Sequence, residues 1–128
     1  ARPELINALR AAKSPYNVNS MSQALGTAVL KHPELLQEAL GRIMLSRKEL
    51  LGGLAEIGAK YPGRFILLPS ETNFAALDME NGRAVQQQLL ERGVAIRYTG
   101  GLLRVTCGAP EENREFLEKF GKILEETK

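Results

Sequence analysis

An arginine near the end of the chain has the residue type and the setting to bind an anion. Arg104 lies in segment 102–107, where apolar and polar residues alternate as they do in a β-strand. Gly108 ends that segment, and Pro110 opens a helix with acidic residues in its first turn. A guanidinium on a stiff strand is suited to gripping a carboxylate or a phosphate. The same pattern is also typical of a solvated arginine on an exposed strand.

The elements around Arg104 are predicted to form a small, mainly antiparallel sheet with flanking helices, which is an α+β fold. Predicted strands cover 65–68, 74–79, 94–98 and 102–107, with a tight turn at Gly100 and Gly101. Predicted helices cover 3–12, 20–30, 33–60, 81–92 and 110–125. Ser20 is predicted to cap the second helix in a capping box with Gln23. The 33–60 helix spans roughly 40 Å, which indicates that it also packs on something outside the chain.

The stretch around Arg104 resembles the C-terminal end of the histidinol-phosphate aminotransferases, which are fold-type I, pyridoxal-phosphate-dependent enzymes. Three further segments are similar to motifs of that family and occur in the family's order. They are Pro-Tyr-Asn-Val-Asn at 15–19, Ser-Glu-Thr-Asn-Phe at 70–74 and Gly-Val-Ala-Ile-Arg at 93–97. Each motif alone is weak, but together they cover nearly the whole chain. The chain therefore resembles the C-terminal small domain of such an aminotransferase.

The resemblance implies roles for several residues. The arginine that matches Arg104 anchors the acidic group of the substrate, and the one that matches Arg97 helps to hold an anionic group. The segment between them is shorter than in many relatives, which leaves open whether they act as a pair. Tyr16 and Asn17 match a loop at the active-site edge, although a turn that uses asparagine for backbone hydrogen bonds is the simpler interpretation. Asn73 matches a loop-to-strand bridge at the same edge.

The family's catalytic lysine has no counterpart here. That lysine lies in a Ser-x-x-Lys segment with Arg-x-Gly-Tyr downstream, and no lysine of this chain has that context. Residues that would hold the pyridine nitrogen or the cofactor phosphate have no match either. We therefore expect residues 1–128 to form one domain that contains no catalytic residue, binds no pyridoxal phosphate and is inactive alone. The cofactor would belong to a large catalytic domain of the full-length parent.

The resemblance implies that the parent is a transaminase, and the family it resembles belongs to histidine biosynthesis. It would be a homodimer that moves an amino group between a small anionic, amino-acid-like substrate and a 2-oxo acid. Histidinol phosphate, aromatic amino acids and acidic amino acids all stay open as substrates. Two alternatives also stay open: a free-standing regulatory module that binds a small anion, and the small domain of a related pyridoxal-phosphate decarboxylase or lyase.

Composition restricts the remaining function classes. A chain of 128 residues fits one domain, and a formal charge of +2 favours neither nucleic acid nor a membrane surface as a partner. Cys107, the single cysteine, suits a reducing, cytoplasmic setting. No apolar run approaches the roughly 20 residues of a membrane span. No metal-ligand spacing is present, so we expect no metal site.

Overall fold

The computed structural model describes residues 2–13 and 18–127 of the chain, and these residues form an α+β fold, as predicted. The helices are α1 Pro3–Ala12, α2 Ser20–Leu30, α3 Pro33–Lys60, α4 Gly82–Glu91 and α5 Pro110–Glu126. The strands are β1 Ile66–Leu68, β2 Phe74–Asp78, β3 Arg97–Thr99 and β4 Leu102–Thr106. The chain divides into two compact units, one up to Gln37 and one from Glu38 onward.

The second unit contains an antiparallel sheet with strand order β1-β2-β4-β3. Gly100 and Gly101 connect β3 to β4 as a two-residue turn with φ of 59° and 83°. Glycine adopts such positive φ angles without the steric cost that a Cβ imposes, which is why this hairpin is tight. The predicted turn is therefore present.

Strand β3 is shorter than the predicted 94–98 strand. Helix α4 ends at Glu91, and Gly93, two residues further on, has a φ of 84°. The Val94 amide donates to the Leu89 carbonyl at 2.8 Å. This helix-terminating bond keeps the chain near α4, so it joins the sheet only at Arg97. Residues 94–96 therefore lie apart from β4.

One face of the sheet is buried under α3, α4 and α5. Alternate residues of β2 and β4 point into this core, and helical residues at three- and four-residue spacing meet them. The fully buried side chains are Leu50, Leu54, Ala75, Leu77, Leu89, Leu103, Phe120, Ile123 and Leu124. Phe120 stacks on Phe116 with ring centroids 5.5 Å apart and meets Phe65 edge-on at 5.3 Å. The core therefore holds β4 in place from one side only.

The opposite face of the sheet is only partly covered. It carries the residues of β2 and β4 that alternate with the core positions, among them Phe74, Ala76 and Arg104, which are half-buried. Asp78 and Thr106 on the same face are exposed. Arg104 therefore belongs to the open face of the sheet, as the alternation of the sequence predicts.

The first unit contains α1, α2 and the start of α3. Helix α2 is capped by Asn19, whose side chain accepts from the Ser22 amide at 2.8 Å. The prediction that Ser20 is the cap was wrong by one residue, because Asn19 still has an extended backbone whereas Ser20 is already helical. Gln23 instead donates to the Val18 carbonyl at 3.0 Å.

Helices α1 and α2 bury none of their residues. Large apolar side chains are exposed along both helices and along the first half of α3. They include Leu5, Leu9, Met21, Leu25, Leu30, Leu36, Leu40, Ile43 and Leu45. In the part of the chain that the structure describes, none of the helices has the length and apolar character of a membrane span.

Candidate anion-binding site

Arg97 and Arg104 lie directly opposite each other in the β3–β4 hairpin. Like charges at opposed positions of an antiparallel pair destabilise a sheet, so the arrangement has a cost in the isolated fold. Within residues 2–13 and 18–127, no carboxylate lies within 4.0 Å of either guanidinium. An anion placed between the two side chains would remove that repulsion.

Phe74 is the platform on which Arg104 rests. The guanidinium carbon of Arg104 lies 3.7 Å from the centroid of the Phe74 ring, which is a close cation–π contact. Phe74 pairs with Thr106, and Ala76 pairs with Arg104, so the ring reaches the guanidinium diagonally across the two strands. The small side chain of Ala76 leaves space for this stacking. Arg104 is thus held flat against the open face of the sheet.

Both arginines line an open cleft of about 750 Å³ at the edge of the sheet. Segment 93–96 forms one wall and the first turns of α5 form another. A cleft of this size lies within the roughly 300–1,000 Å³ range of small-molecule sites. The acidic residues of α5 that line it are engaged elsewhere: Glu112 accepts from the Ala109 amide at 2.7 Å, and Glu115 pairs with Lys119. The arginines are therefore available to a ligand.

Asn73 lies one residue before Phe74. Its carbonyl accepts from the Cys107 amide at 2.9 Å, which joins the entry of β2 to the end of β4. Its side chain is exposed, and no described hydrogen bond uses it. The Ser70 hydroxyl donates to the Phe74 carbonyl at 2.5 Å and fixes the same loop. Tyr16 and Asn17, the other residues predicted at the active-site edge, lie outside the described residues.

Ser46, Phe74 and Asn113 were not predicted as functional residues. The side chains of Ser46 and Asn113 meet at the turn that follows β4, where Asn113 donates to the Ser46 hydroxyl at 2.8 Å. Of these three residues, only Phe74 could be predicted from the sequence, because strand alternation places it on the face of β2 opposite the core.

In the described part of the chain, the other nucleophilic and metal-ligating side chains near the site do not form a catalytic cluster. Burial raises the pKa of the Cys107 thiol, with a smaller opposing effect from Arg47, so the thiol is a poor nucleophile at neutral pH. No group of three His, Cys, Asp or Glu side chains is placed to hold a metal ion among the residues described. The described lining of the cleft contains no lysine.

Residues 1–120 match the family model described as aminotransferase class I and II. The chain belongs to the aminotransferase class I and II family. Similar curated proteins include histidinol-phosphate aminotransferase 1 of Carboxydothermus hydrogenoformans, 36% identical over 97% of this chain and 35% of the relative. The histidinol-phosphate aminotransferase of Corynebacterium glutamicum (strain R) is 33% identical over 97% of this chain and 33% of the relative. The chain thus spans about a third of the length of these relatives.

Solved structures show the same fold. The histidinol-phosphate aminotransferase of Clostridium acetobutylicum superposes with a TM-score of 0.71 at 22% identity, over 96% of this chain and 38% of that one. The enzyme of Sinorhizobium meliloti, solved in complex with pyridoxal-5'-phosphate, has a TM-score of 0.69 at 20% identity, over 98% of this chain and 35% of that one. Together with the family match and the curated relatives, these structures confirm the predicted resemblance to histidinol-phosphate aminotransferases.

Proposed function

We propose that this chain is the substrate-anion-binding part of a pyridoxal-phosphate-dependent aminotransferase. Arg104 binds the acidic group of an amino-acid-like donor, and Arg97 adds a second positive charge at the rim of the cleft. The observation that carries the proposal is the opposed pair of arginines on the open sheet face, both lining one cleft and neither paired with a described carboxylate. Such an arrangement costs stability unless an anion meets it.

The charge of the site supports the substrate class that we propose. A phosphate monoester carries about −1.5 to −2 charges near neutral pH and offers three acceptor oxygens, which suits two guanidinium groups better than a single carboxylate does. The curated relatives are named for histidinol phosphate, which carries such a group. We therefore propose histidinol phosphate as the leading substrate, with anionic amino acids as weaker donors.

We propose that the described residues hold the substrate's anion, whereas the cofactor is held elsewhere in the full-length protein. The cleft lining offers no lysine for a covalent link to pyridoxal phosphate. We propose that the lysine and the cofactor-binding residues belong to a large catalytic domain in the remaining length of a full-length protein, which acts as a cytoplasmic homodimer. The contribution of these 128 residues is then to bind the donor's anion and to aim its amino group at that domain.

The exposed apolar residues support a large packing partner. Leu40, Ile43 and Met44 lie at helical spacing on α3 and are each more than two-fifths exposed. Contiguous apolar surface of this kind marks an interface in soluble proteins. We propose that the partner is the large domain of the same full-length protein, since this chain accounts for only about a third of its relatives' length.

The donor specificity of the full-length protein tests the proposal. The kcat/KM for histidinol phosphate should exceed the value for histidinol, which lacks the phosphate, by at least about 100-fold, because two charge-assisted contacts are lost. Equal values for the two donors would refute the role of the arginines. A protein that binds the phosphate ester but transfers no amino group would favour the free-standing anion-binding module instead.

A further inference from the structure

We propose that Ser46 and Asn113 are positioning residues for Arg104, a role that rests on the proposed function of that arginine. Their side chains form a closed ring of hydrogen bonds with the backbone of Gly108, in the turn that follows β4. We call this set, Ser46, Gly108 and Asn113, the polar ring. It joins α3 and α5 to the strand end that carries the arginine.

The bonds of the polar ring have ordinary hydrogen-bond lengths. The Gly108 amide donates to Asn113 Oδ1 at 3.0 Å, and Asn113 Nδ2 donates to Ser46 Oγ at 2.8 Å. The Ser46 hydroxyl in turn donates to the Gly108 carbonyl at 2.7 Å, which closes the ring. Both backbone groups of Gly108 are thus satisfied by side chains rather than by a neighbouring strand.

Burial makes the ring sensitive to substitution. Asn113 is 5% exposed and is the one buried polar or charged residue of the described chain. A buried amide that loses a partner keeps its desolvation cost without the compensating bond. Gly108 also packs closely, since a Cβ at this position would lie 3.0 Å from the Cβ of Glu112. The turn therefore has one well-defined conformation while the ring is intact.

The position of Arg104 depends on this turn because, after Arg104, strand β4 is paired with another strand on only one side. Strand β3 begins at Arg97, so the residues of β4 that follow Arg104 pair with β2 alone. The cleft occupies the place where a longer β3 would lie. The polar ring, four residues beyond Arg104, replaces the missing strand as the anchor on that side. The short β3 thus leaves the cleft open for a ligand, while the polar ring holds the end of β4 that carries Arg104.

The test uses the full-length protein with Ser46→Ala and Asn113→Asp, and the exposed substitutions Ser22→Ala and Asn7→Asp as matched controls. We expect kcat/KM for histidinol phosphate to decrease about 10-fold in Ser46→Ala and Asn113→Asp. This loss is smaller than the roughly 100-fold that a 1 Å misplacement of a binding group can cost, because the variants shift Arg104 only indirectly. For histidinol the decrease should stay within about twofold, because this donor has no anion for Arg104 to hold. The conservative Ser46→Thr variant keeps the hydroxyl and should restore most of the activity.

A double-variant cycle separates positioning from general stability. In an Arg104→Ala background, Ser46→Ala should cause no further loss for histidinol phosphate, since residues acting through one another are not additive. Additive losses, equal losses for both donors, or no loss would overturn the positioning role. If Asn113→Asp does not fold, the Ser46→Ala and Ser46→Thr pair decides the question.

Arg104→Lys, measured alongside, keeps this test separate from the proposed function. If Arg104→Lys affects both donors equally, the proposed function fails and the positioning role fails with it. If Arg104→Lys discriminates between the donors and the ring variants do not, only the positioning role is overturned.

Discussion

Truncation of Arg104 should abolish most of the discrimination for anionic donors while leaving the fold intact. A bidentate contact that is shielded from water costs roughly 2–5 kcal/mol when one partner is removed, which is about 30- to 4,000-fold in kcat/KM. Arg97 lies directly opposite and is exposed, so it retains part of the attraction and keeps the loss in the lower half of that range. We therefore expect Arg104→Ala to lose about 30- to 300-fold for histidinol phosphate.

The stability of the same variant has opposing contributions. Arg104→Ala removes the cation–π contact with Phe74, worth about 0.5–1 kcal/mol at a partly exposed position. It also removes the repulsion between the opposed arginines, which is worth a similar amount. The free energy of unfolding should therefore change by less than about 1 kcal/mol. Loss of activity without loss of stability is the expected signature of a binding residue.

The assay compares kcat/KM of the full-length protein for histidinol phosphate and histidinol, together with urea unfolding. Arg104→Lys keeps the charge but not the planar fork, and should recover only part of the lost activity. Arg114→Ala, which removes an exposed arginine of α5 paired with Glu111, is the matched control and should behave as wild type. Equal losses for both donors, or near-normal activity of Arg104→Ala, would refute the reasoning and make Arg97 the better candidate.

Further predictions concern other parts of the chain. Phe74→Leu should lower kcat/KM for histidinol phosphate about 3- to 10-fold in steady-state kinetics, because it removes the aromatic ring on which Arg104 stacks. An unchanged kcat/KM would contradict this role of Phe74. Borohydride reduction of the 128-residue chain with pyridoxal phosphate should give sparse labelling by mass spectrometry, whereas one stoichiometric adduct would show a cofactor lysine. Sedimentation of the same chain should show concentration-dependent association through residues such as Leu36 and Leu40, and an ideal monomer would contradict this. Because burial raises the pKa of the Cys107 thiol, the folded chain keeps that proton at pH values where the unfolded chain loses it. The free energy of unfolding should therefore fall as the pH rises above the ordinary thiol pKa of about 8.5. Iodoacetamide should also react with Cys107 more slowly than with a free cysteine at pH 8.

Local patterns in the sequence determine much of this fold. Pro110 and the spacing of the apolar residues after it define α5, and the two-residue turn at Gly100 and Gly101 defines the β3–β4 hairpin. That turn length also sets Arg97 opposite Arg104, because pairing proceeds residue by residue from the loop. The pairing of Arg97 with Arg104 therefore follows from the local sequence of the hairpin alone.

The supporting contacts depend on pairings that local patterns do not contain. Phe74 reaches Arg104 only in the register between β2 and β4, which are about 30 residues apart in the chain. Ser46 and Asn113 are 67 residues apart, and neither residue type signals the other. The late start of β3 depends on how the chain leaves α4 at Gly93. These features arise from tertiary packing and require the structure.

The position of the donor's phosphate group tests the central claim most directly. A crystal structure of the full-length protein with histidinol phosphate should place phosphate oxygens about 2.7–2.9 Å from the guanidinium nitrogens of Arg104, with Arg97 on the same group. The guanidinium of Arg104 should stay stacked on Phe74 in that complex. A phosphate bound elsewhere, with the cleft between the two arginines left to solvent, would contradict the account.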